Sequence, residues 1–192
     1  DEKGPINQWV KDHPGYQIDT NNQPLNSSTV DLAKGYDGIA ILQHASITEP
    51  VVYQKLKEFG IKQISLRSTG FEIIDLKEAT KNGLVVTNVP GYSPRSVSEL
   101  VLADVMYLLR HLGEVRAREE HGDFTWVNTE AKEIHTLTVG IIGAGKIGSA
   151  VARIFRALGA NVIAADPIHR PDLNDTVTYV DHETVYKTAD II

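Results

Sequence analysis

The sequence has 192 residues, 42% of them hydrophobic, which is enough for one or two domains with a proper core. Its formal net charge of -6 argues against binding nucleic acid through a basic surface, because neutralising phosphates requires an excess of Lys and Arg. The lack of cysteine excludes disulfides, zinc–thiolate sites and thiol catalysis. No stretch is typical of a membrane span or a signal peptide, so we expect a cytoplasmic protein without a membrane partner.

Three segments before Pro90 repeat one order: a polar helix, a glycine and a β-rich strand. The glycines are placed where the end of a helix favours left-handed backbone, and they are Gly35, Gly60 and Gly83. Asp75 stands where the third helix needs an N-cap. The strands are mostly apolar, which is typical of a parallel sheet covered on both faces. The pattern predicts a small parallel α/β domain.

A long helix is predicted to begin at Pro94, with Ser93 as its cap, and a second short helix follows it. The next segment, from Phe124 to Thr138, shows no clear period and carries Phe124 and Trp126. We interpret this segment as an arm between domains. Its two aromatic side chains favour a dimer contact, and simple packing is the alternative.

Gly143, Gly145 and Gly148 form a G-x-G-x-x-G turn between an apolar strand and a helix, and a second apolar strand follows. The first glycine permits the tight turn. The second lets backbone approach a pyrophosphate, and the third lets helix and strand pack closely. The helix N-terminus offers free N–H groups to phosphates. This context predicts a dinucleotide-binding βαβ unit rather than incidental glycines.

Asp166 ends the second strand of this unit, where a carboxylate can accept hydrogen bonds from the adenosine ribose. Its negative charge would repel a 2′-phosphate, so we expect NAD rather than NADP. Arg170 is close enough in sequence to weaken that argument, and we favour its interpretation as a solvated loop residue.

The segments "ISLRSTGFEIIDL", "VVTNVPGYSPRSVSEL", "TVGIIGAGKIG" and "VIAADP" together resemble the D-isomer-specific 2-hydroxyacid dehydrogenases. Within that family they are most similar to the D-lactate and D-2-hydroxyisocaproate branches. The resemblance implies an α/β fold with two Rossmann-like or flavodoxin-like parallel-sheet domains and a cleft between them. Residues 1–92 would form the N-terminal segment of the substrate domain. Residues 93–192 would form an interdomain helix and the first half of the NAD-binding domain.

The resemblance also implies which residues bind. The substrate carboxylate would meet the backbone of Ser68, Thr69 and Gly70, and Tyr92 would line the pocket. The residues implied to contact NAD are Gly143, Gly145, Lys146, Ile147, Gly148 and Asp166. The family usually has Asn and Val where this chain has Ser68 and Thr69, which the backbone of the loop could accommodate although the shape of the pocket would change.

No residue of the chain matches the catalytic Arg, Glu and His of the family, and we expect all three after Ile192. The tail "YKTADII" only begins a further strand, and "DEKGPINQWV" starts in a helix where the family opens with a strand. We therefore expect a chain incomplete at both ends and inactive alone, with no catalytic residue among these 192. Of the seven histidines, His44 alone follows a strand end near a possible cleft, and a surface role is favoured for it.

The leading hypothesis is an NAD-dependent D-2-hydroxyacid dehydrogenase, acting as a homodimer on a small 2-oxo acid such as pyruvate. Hydride would pass between NADH and the acid. A non-catalytic NAD-binding scaffold or sensor on the same fold is one alternative. A sibling dehydrogenase for glycerate, phosphoglycerate or formate is another.

Overall fold

The computed structural model describes residues 3–192, so Asp1 and Glu2 of the predicted N-terminal helix lie outside the described residues. The chain divides between Pro90 and Gly91 into two compact units. Each unit has helices and its own three-stranded parallel sheet, which confirms the predicted α/β fold class. Along residues 3–192, no helix has both the length and the apolar character to cross a bilayer.

The first unit contains three helices and three strands in the chain order α1 Lys3–Asp12, β1 Gly38–Ile41, α2 Pro50–Glu58, β2 Gln63–Leu66, α3 Leu76–Lys81 and β3 Val85–Thr87. The strands lie in the order β1-β2-β3, with Ile64 of the central strand paired to Ile39 and Val86. Parallel neighbours need a crossover between them, and α2 and α3 supply it.

The core of the first unit lies between α2 and the central strand. Tyr53 and Leu56 of α2 are fully buried, as is Ile64 of β2. Asp75 caps α3 as predicted, because its Oδ1 accepts the amides of Lys77 at 2.9 Å and Glu78 at 3.0 Å. The capped helix begins at Leu76, and the chain continues from its end into β3.

Two expectations for this unit are wrong. The predicted helix before Gly35 is only a 3-10 turn, Val30–Ala33. The Asn26 side chain accepts amides at the start of that segment, and Lys34 leaves helical geometry at ψ 126°, so one turn is all that forms. Strands β1 and β3 are also not covered on both faces, since their residues alternate between exposed and half-buried.

The second unit contains α4 Pro94–Leu109, α5 Leu112–Glu119, β4 Thr138–Ile142, α6 Lys146–Ala157, β5 Asn161–Ala165, β6 Thr178–Tyr179 and α7 His182–Thr188. Its strands lie in the order β4-β5-β6, all parallel. Ile191 forms a further parallel bridge to Val139 on β4, as predicted for the opening of another strand. Strand β5 is buried over four of its five residues and forms the centre of the core.

Helix α4 begins at Pro94 and packs on α6 through a half-buried face that includes Val101 and Val105. Ser93 occupies the capping position, but its hydroxyl bonds to the hydroxyl of Ser96 at 2.6 Å and caps no backbone amide. Near the C-terminal end of α4, Leu108 is exposed.

The predicted arm is exposed in the second unit. Phe124 is 78% exposed and Trp126 is 74% exposed, so neither packs in the core formed by residues 91–192. The arm is tied to α5 because Arg118 Nη1 donates to the Val127 carbonyl at 2.6 Å. What the two aromatic side chains contact stays a prediction.

The fold predicts one buried hydrogen-bond relay in the first unit. The Tyr53 hydroxyl donates to the Ile47 carbonyl at 2.7 Å and accepts the Asp75 amide at 2.8 Å. Burial raises the pKa of Tyr53, so the hydroxyl keeps its proton at neutral pH. We expect Tyr53→Phe to lower the free energy of unfolding by about 1–3 kcal/mol, because the buried Ile47 carbonyl and the partly buried Asp75 amide both lose a partner.

Tyr36→Phe is the matched control for this test. It removes the same atom from a hydroxyl that bonds the exposed Asp19 carboxylate, so its effect should be below about 0.5 kcal/mol. Urea unfolding measures both variants. Equal losses in the two would contradict the relay.

Candidate functional site

The glycine turn follows β4 directly and leads into α6. Gly143 has φ +89°, a left-handed conformation that favours glycine, and its amide donates to the Ala165 carbonyl at 2.9 Å. Gly145 is the N-cap of α6 and carries no side chain to cap it. The turn therefore joins the carboxyl ends of β4 and β5 to the positive end of a twelve-residue helix.

The other two glycines serve different physical purposes. A Cβ on Gly148 would lie 1.9 Å from the Gly143 carbonyl oxygen, so only glycine allows the helix this close to the turn. A Cβ on Gly145 would meet no atom within 4 Å. Gly145 therefore borders open space, and a ligand could approach its backbone closely. This is the cradle that a pyrophosphate requires.

Asp166 lies immediately after β5 and faces the turn. Its Oδ2 accepts the Ala144 amide at 2.7 Å, and its Oδ1 accepts the Ile168 amide at 2.7 Å. An ionised carboxylate has about four acceptor positions, so two remain for ribose hydroxyls. The half-buried side chain thus fixes the turn and leaves capacity for a ligand.

Arg170 is not a solvated loop residue, and that expectation is wrong. Its Nη1 lies 3.2 Å from Ser149 Oγ and 3.4 Å from the Gly145 carbonyl. Its Nε and Nη2 pair with both carboxylate oxygens of Asp172, at 3.1 and 2.8 Å. Hydrogen bonds from Arg170, and next from Arg153, lower the pKa of Asp172. The sequence showed the charge and its proximity but not these contacts.

Lys146 and Ile147 open α6 with exposed side chains. The Lys146 ammonium lies 2.8 Å from the position that a Cβ on Gly91 would take. Lys146 therefore reaches from the helix N-terminus to the chain before α4, in the same unit. An ammonium group at that point can form an ion pair with a phosphate in addition to the contacts it already makes.

Ser68, Thr69 and Gly70 form the loop after β2. Ser68 Oγ donates to the Gly70 carbonyl at 2.8 Å, and Thr69 Oγ1 donates to the Val89 carbonyl at 2.9 Å. Within residues 3–192, the amides of Thr69 and Gly70 make no hydrogen bond. Thr69 and Gly70 are exposed, so their two backbone donors are unpaired at the surface of the first unit.

Tyr92 is exposed on the chain that leads to α4, with no hydrogen-bond partner for its hydroxyl in the described part of the chain. His44 is exposed in the loop after β1. Among the residues that the structure describes, no cluster of three or more His, Asp or Glu side chains could hold a metal ion.

Residues 4–192 match the family model described as D-isomer specific 2-hydroxyacid dehydrogenase, catalytic domain. A "D-2-hydroxyacid dehydrogenase (NAD(+))" of Clostridioides difficile is 42% identical over 193 residues, and a "D-lactate/D-glycerate dehydrogenase" of Pediococcus acidilactici is 38% identical over 194. Both alignments cover 100% of this chain and 58% of the relative.

Solved structures agree with these relatives. The NAD-complexed form of a D-isomer specific 2-hydroxyacid dehydrogenase from Lactobacillus delbrueckii ssp. bulgaricus matches with a TM-score of 0.82 and 48% identity. That match covers 98% of this chain and 57% of the solved one. The chain belongs to the D-isomer-specific 2-hydroxyacid dehydrogenase family. It spans a little over half the length of the relatives it matches.

The geometry of the turn predicts effects of unequal size for two glycine substitutions. Gly148→Ala forces a methyl group into the Gly143 carbonyl, so we expect a loss of about 3 kcal/mol in the free energy of unfolding. Gly145→Ala meets open space at φ -67° and should cost less than about 1 kcal/mol. Thermal unfolding of the two variants tests this. A more destabilising Gly145→Ala would contradict the geometry.

Proposed function

We propose that the protein is an NAD-dependent D-2-hydroxyacid dehydrogenase that interconverts a small 2-hydroxy acid and its 2-oxo acid. The observation that carries the proposal is the space beside Gly145. Gly145 is the N-cap of α6, and the preceding residue, Ala144, donates its amide to the Asp166 carboxylate. These are the groups that a dinucleotide pyrophosphate and ribose require. Membership of the family supports the same function.

The proposed cofactor site uses the backbone of the turn. Ser149 is the first residue to donate within α6, to the Gly145 carbonyl at 2.9 Å, which leaves the Ile147 and Gly148 amides outside the helical ladder. These amides and the Lys146 ammonium would bind the pyrophosphate. The remaining acceptor positions of Asp166 would bind the ribose hydroxyls.

The proposed substrate contact is the loop at Ser68, Thr69 and Gly70. The amides of Thr69 and Gly70 would bind the carboxylate of the 2-oxo acid and hold its C2 carbon in one orientation. Tyr92 is proposed separately as a substrate contact. When bound, the nicotinamide supplies or accepts the hydride at C2. We assign binding and orientation to these residues. No proton-transferring role is assigned to any side chain of this chain, His44 included.

Two alternatives fit the same fold. A non-catalytic NAD sensor needs the turn and Asp166 but no substrate loop. A sibling enzyme that acts on glycerate is favoured by one observation, the similarity to the Pediococcus acidilactici protein named for both acids. The cytoplasm is the proposed location, because NADH is supplied there.

Cofactor binding tests the proposal. NADH should bind more tightly than NADPH to the full-length protein, because Asp166 repels a 2′-phosphate. Gly145→Ala should raise the Kd of NADH at least about tenfold, since a methyl group enters the space for the pyrophosphate. Asp166→Ala should reduce the preference for NADH. Asp175→Ala is the control, because it removes an exposed carboxylate from the same connection. A wild-type preference for NADPH would overturn the assignment.

A substrate panel separates the alternatives. We expect NADH consumption by the full-length protein with pyruvate, a branched 2-oxo acid or hydroxypyruvate. Turnover of hydroxypyruvate in preference to pyruvate would favour the glycerate sibling. Tight NADH binding without turnover of any of these would favour the sensor.

We also propose that the protein is a homodimer that uses the second unit and the arm from Phe124 to Thr138. The support is the apolar side chains that α4 and the arm leave exposed: Leu100, Tyr107, Leu108, Phe124, Trp126 and Val127. An exposed set of this size is typical of an association surface. A second copy would cover it symmetrically.

The dimer proposal has its own test. Leu108 is 71% exposed on α4, and Leu108→Glu should shift the full-length protein from dimer to monomer in sedimentation experiments at micromolar concentration. Leu32→Glu is the control, because Leu32 is 52% exposed in the first unit. A wild-type monomer, or a dimer that both variants retain, would refute this interface.

A further inference from the structure

Two arginines share one carboxylate beside the glycine turn. Asp172 accepts Arg170 in a two-point pair, and its Oδ2 also accepts Arg153 Nη2 at 2.6 Å. Arg153 lies on α6, while Arg170 and Asp172 lie in the connection between β5 and β6. The cluster therefore ties that connection to the helix whose N-terminus forms the turn.

The Arg170 guanidinium lies beside the proposed ribose position. Asp166 contacts the turn at Ala144, and Arg170 contacts it at the next residue, Gly145. In dinucleotide-binding units, an acid at the position of Asp166 accepts the 2′-hydroxyl, and an arginine nearby accommodates a 2′-phosphate. In this chain, the acid and the arginine contact neighbouring residues of the turn, Ala144 and Gly145.

The hydrogen bonds of Arg170 occupy the groups with which it would bind a 2′-phosphate. Nε and Nη2, the edge of the guanidinium that binds an oxyanion at two points, are both used by Asp172. Nη1 is directed to Ser149 and Gly145. Moreover, the backbone amide of Arg170 donates to Tyr179 Oη at 3.0 Å, and the Tyr179 ring stacks on His169. The residue is therefore held at both its backbone and its side chain.

We propose that Asp172 sets cofactor specificity as a positioning residue, by holding the Arg170 guanidinium away from the 2′-phosphate of NADP. This inference rests on the proposed function, since it concerns the same cofactor site. Asp166 repels the phosphate directly, and Asp172 removes the one cation of the connection that could bind it. Specificity for NAD thus has two parts, a repulsive carboxylate and a sequestered arginine.

The test compares the Kd values of NADPH and NADH for the full-length protein and four variants. Asp172→Asn keeps the size of the side chain but releases Arg170, so the ratio of Kd for NADPH to Kd for NADH should fall about tenfold. Arg170→Gln with Asp172→Asn should cancel that fall. Arg170→Gln alone should leave the ratio within about twofold of wild type, because the arginine is already occupied. Arg153→Gln is the matched control, since Arg170 keeps its pair, and it too should leave the ratio unchanged.

The variants distinguish this inference from its alternatives. If Asp172→Asn leaves the ratio unchanged while unfolding at the wild-type temperature, the inference is wrong. If the double variant keeps the full fall, the effect is only the loss of a negative charge, and the inference is again wrong. If Arg170→Gln alone weakens NADPH binding, Arg170 already serves the phosphate and is not sequestered. If the wild-type protein binds neither cofactor, the proposed function fails instead.

Discussion

The contact between Gly148 and Gly143 is the constraint on which the second unit depends. With 1.9 Å between a hypothetical Cβ and the Gly143 carbonyl, α6 lies against the turn with no side chain between them. The N-terminus of α6 therefore lies next to the turn that follows β4. Asp166, immediately after β5, accepts the Ala144 amide of the same turn at 2.7 Å. The unpaired amides and the positive end of the helix dipole thus follow directly on the residue that the carboxylate contacts.

The parts of the fold that the sequence could predict are those encoded by short-range pattern. Strand β4, the turn, α6 and β5 follow one another without a break, and each has a local signal in its apolar spacing or its glycines. The Asp75 cap and the left-handed Gly60 and Gly83 depend on their immediate neighbours in the same way, and all three are confirmed. The helix prediction before Gly35 failed because side-chain hydrogen bonds compete there with the helical backbone pattern. Backbone amides that donate to the Asn26 side chain reduce the predicted helix to one turn.

The site was predictable only where a residue type carries its own signal. The glycines and Asp166 have such signals, because their roles follow from backbone geometry and strand order. Arg170 carries no such signal, because its position depends on contacts with Asp172, Ser149 and Gly145. Ser149 and Gly145 are more than 20 residues away from it in sequence. A charged residue in a loop is most often solvated. Only the fold reveals that Leu173 is fully buried and holds this connection against the core.

The loop at Ser68, Thr69 and Gly70 is the proposed substrate contact. Two of the hydrogen bonds that hold it do not depend on the side chains of Ser68 and Thr69. The Val89 amide donates to the Ser68 carbonyl at 3.0 Å, and Asn88 Nδ2 donates to the Thr69 carbonyl at 2.7 Å. The Thr69 hydroxyl adds a further tie to Val89. Different side chains at these two positions therefore change the wall of the proposed pocket and leave in place the backbone donors that we propose for the substrate carboxylate.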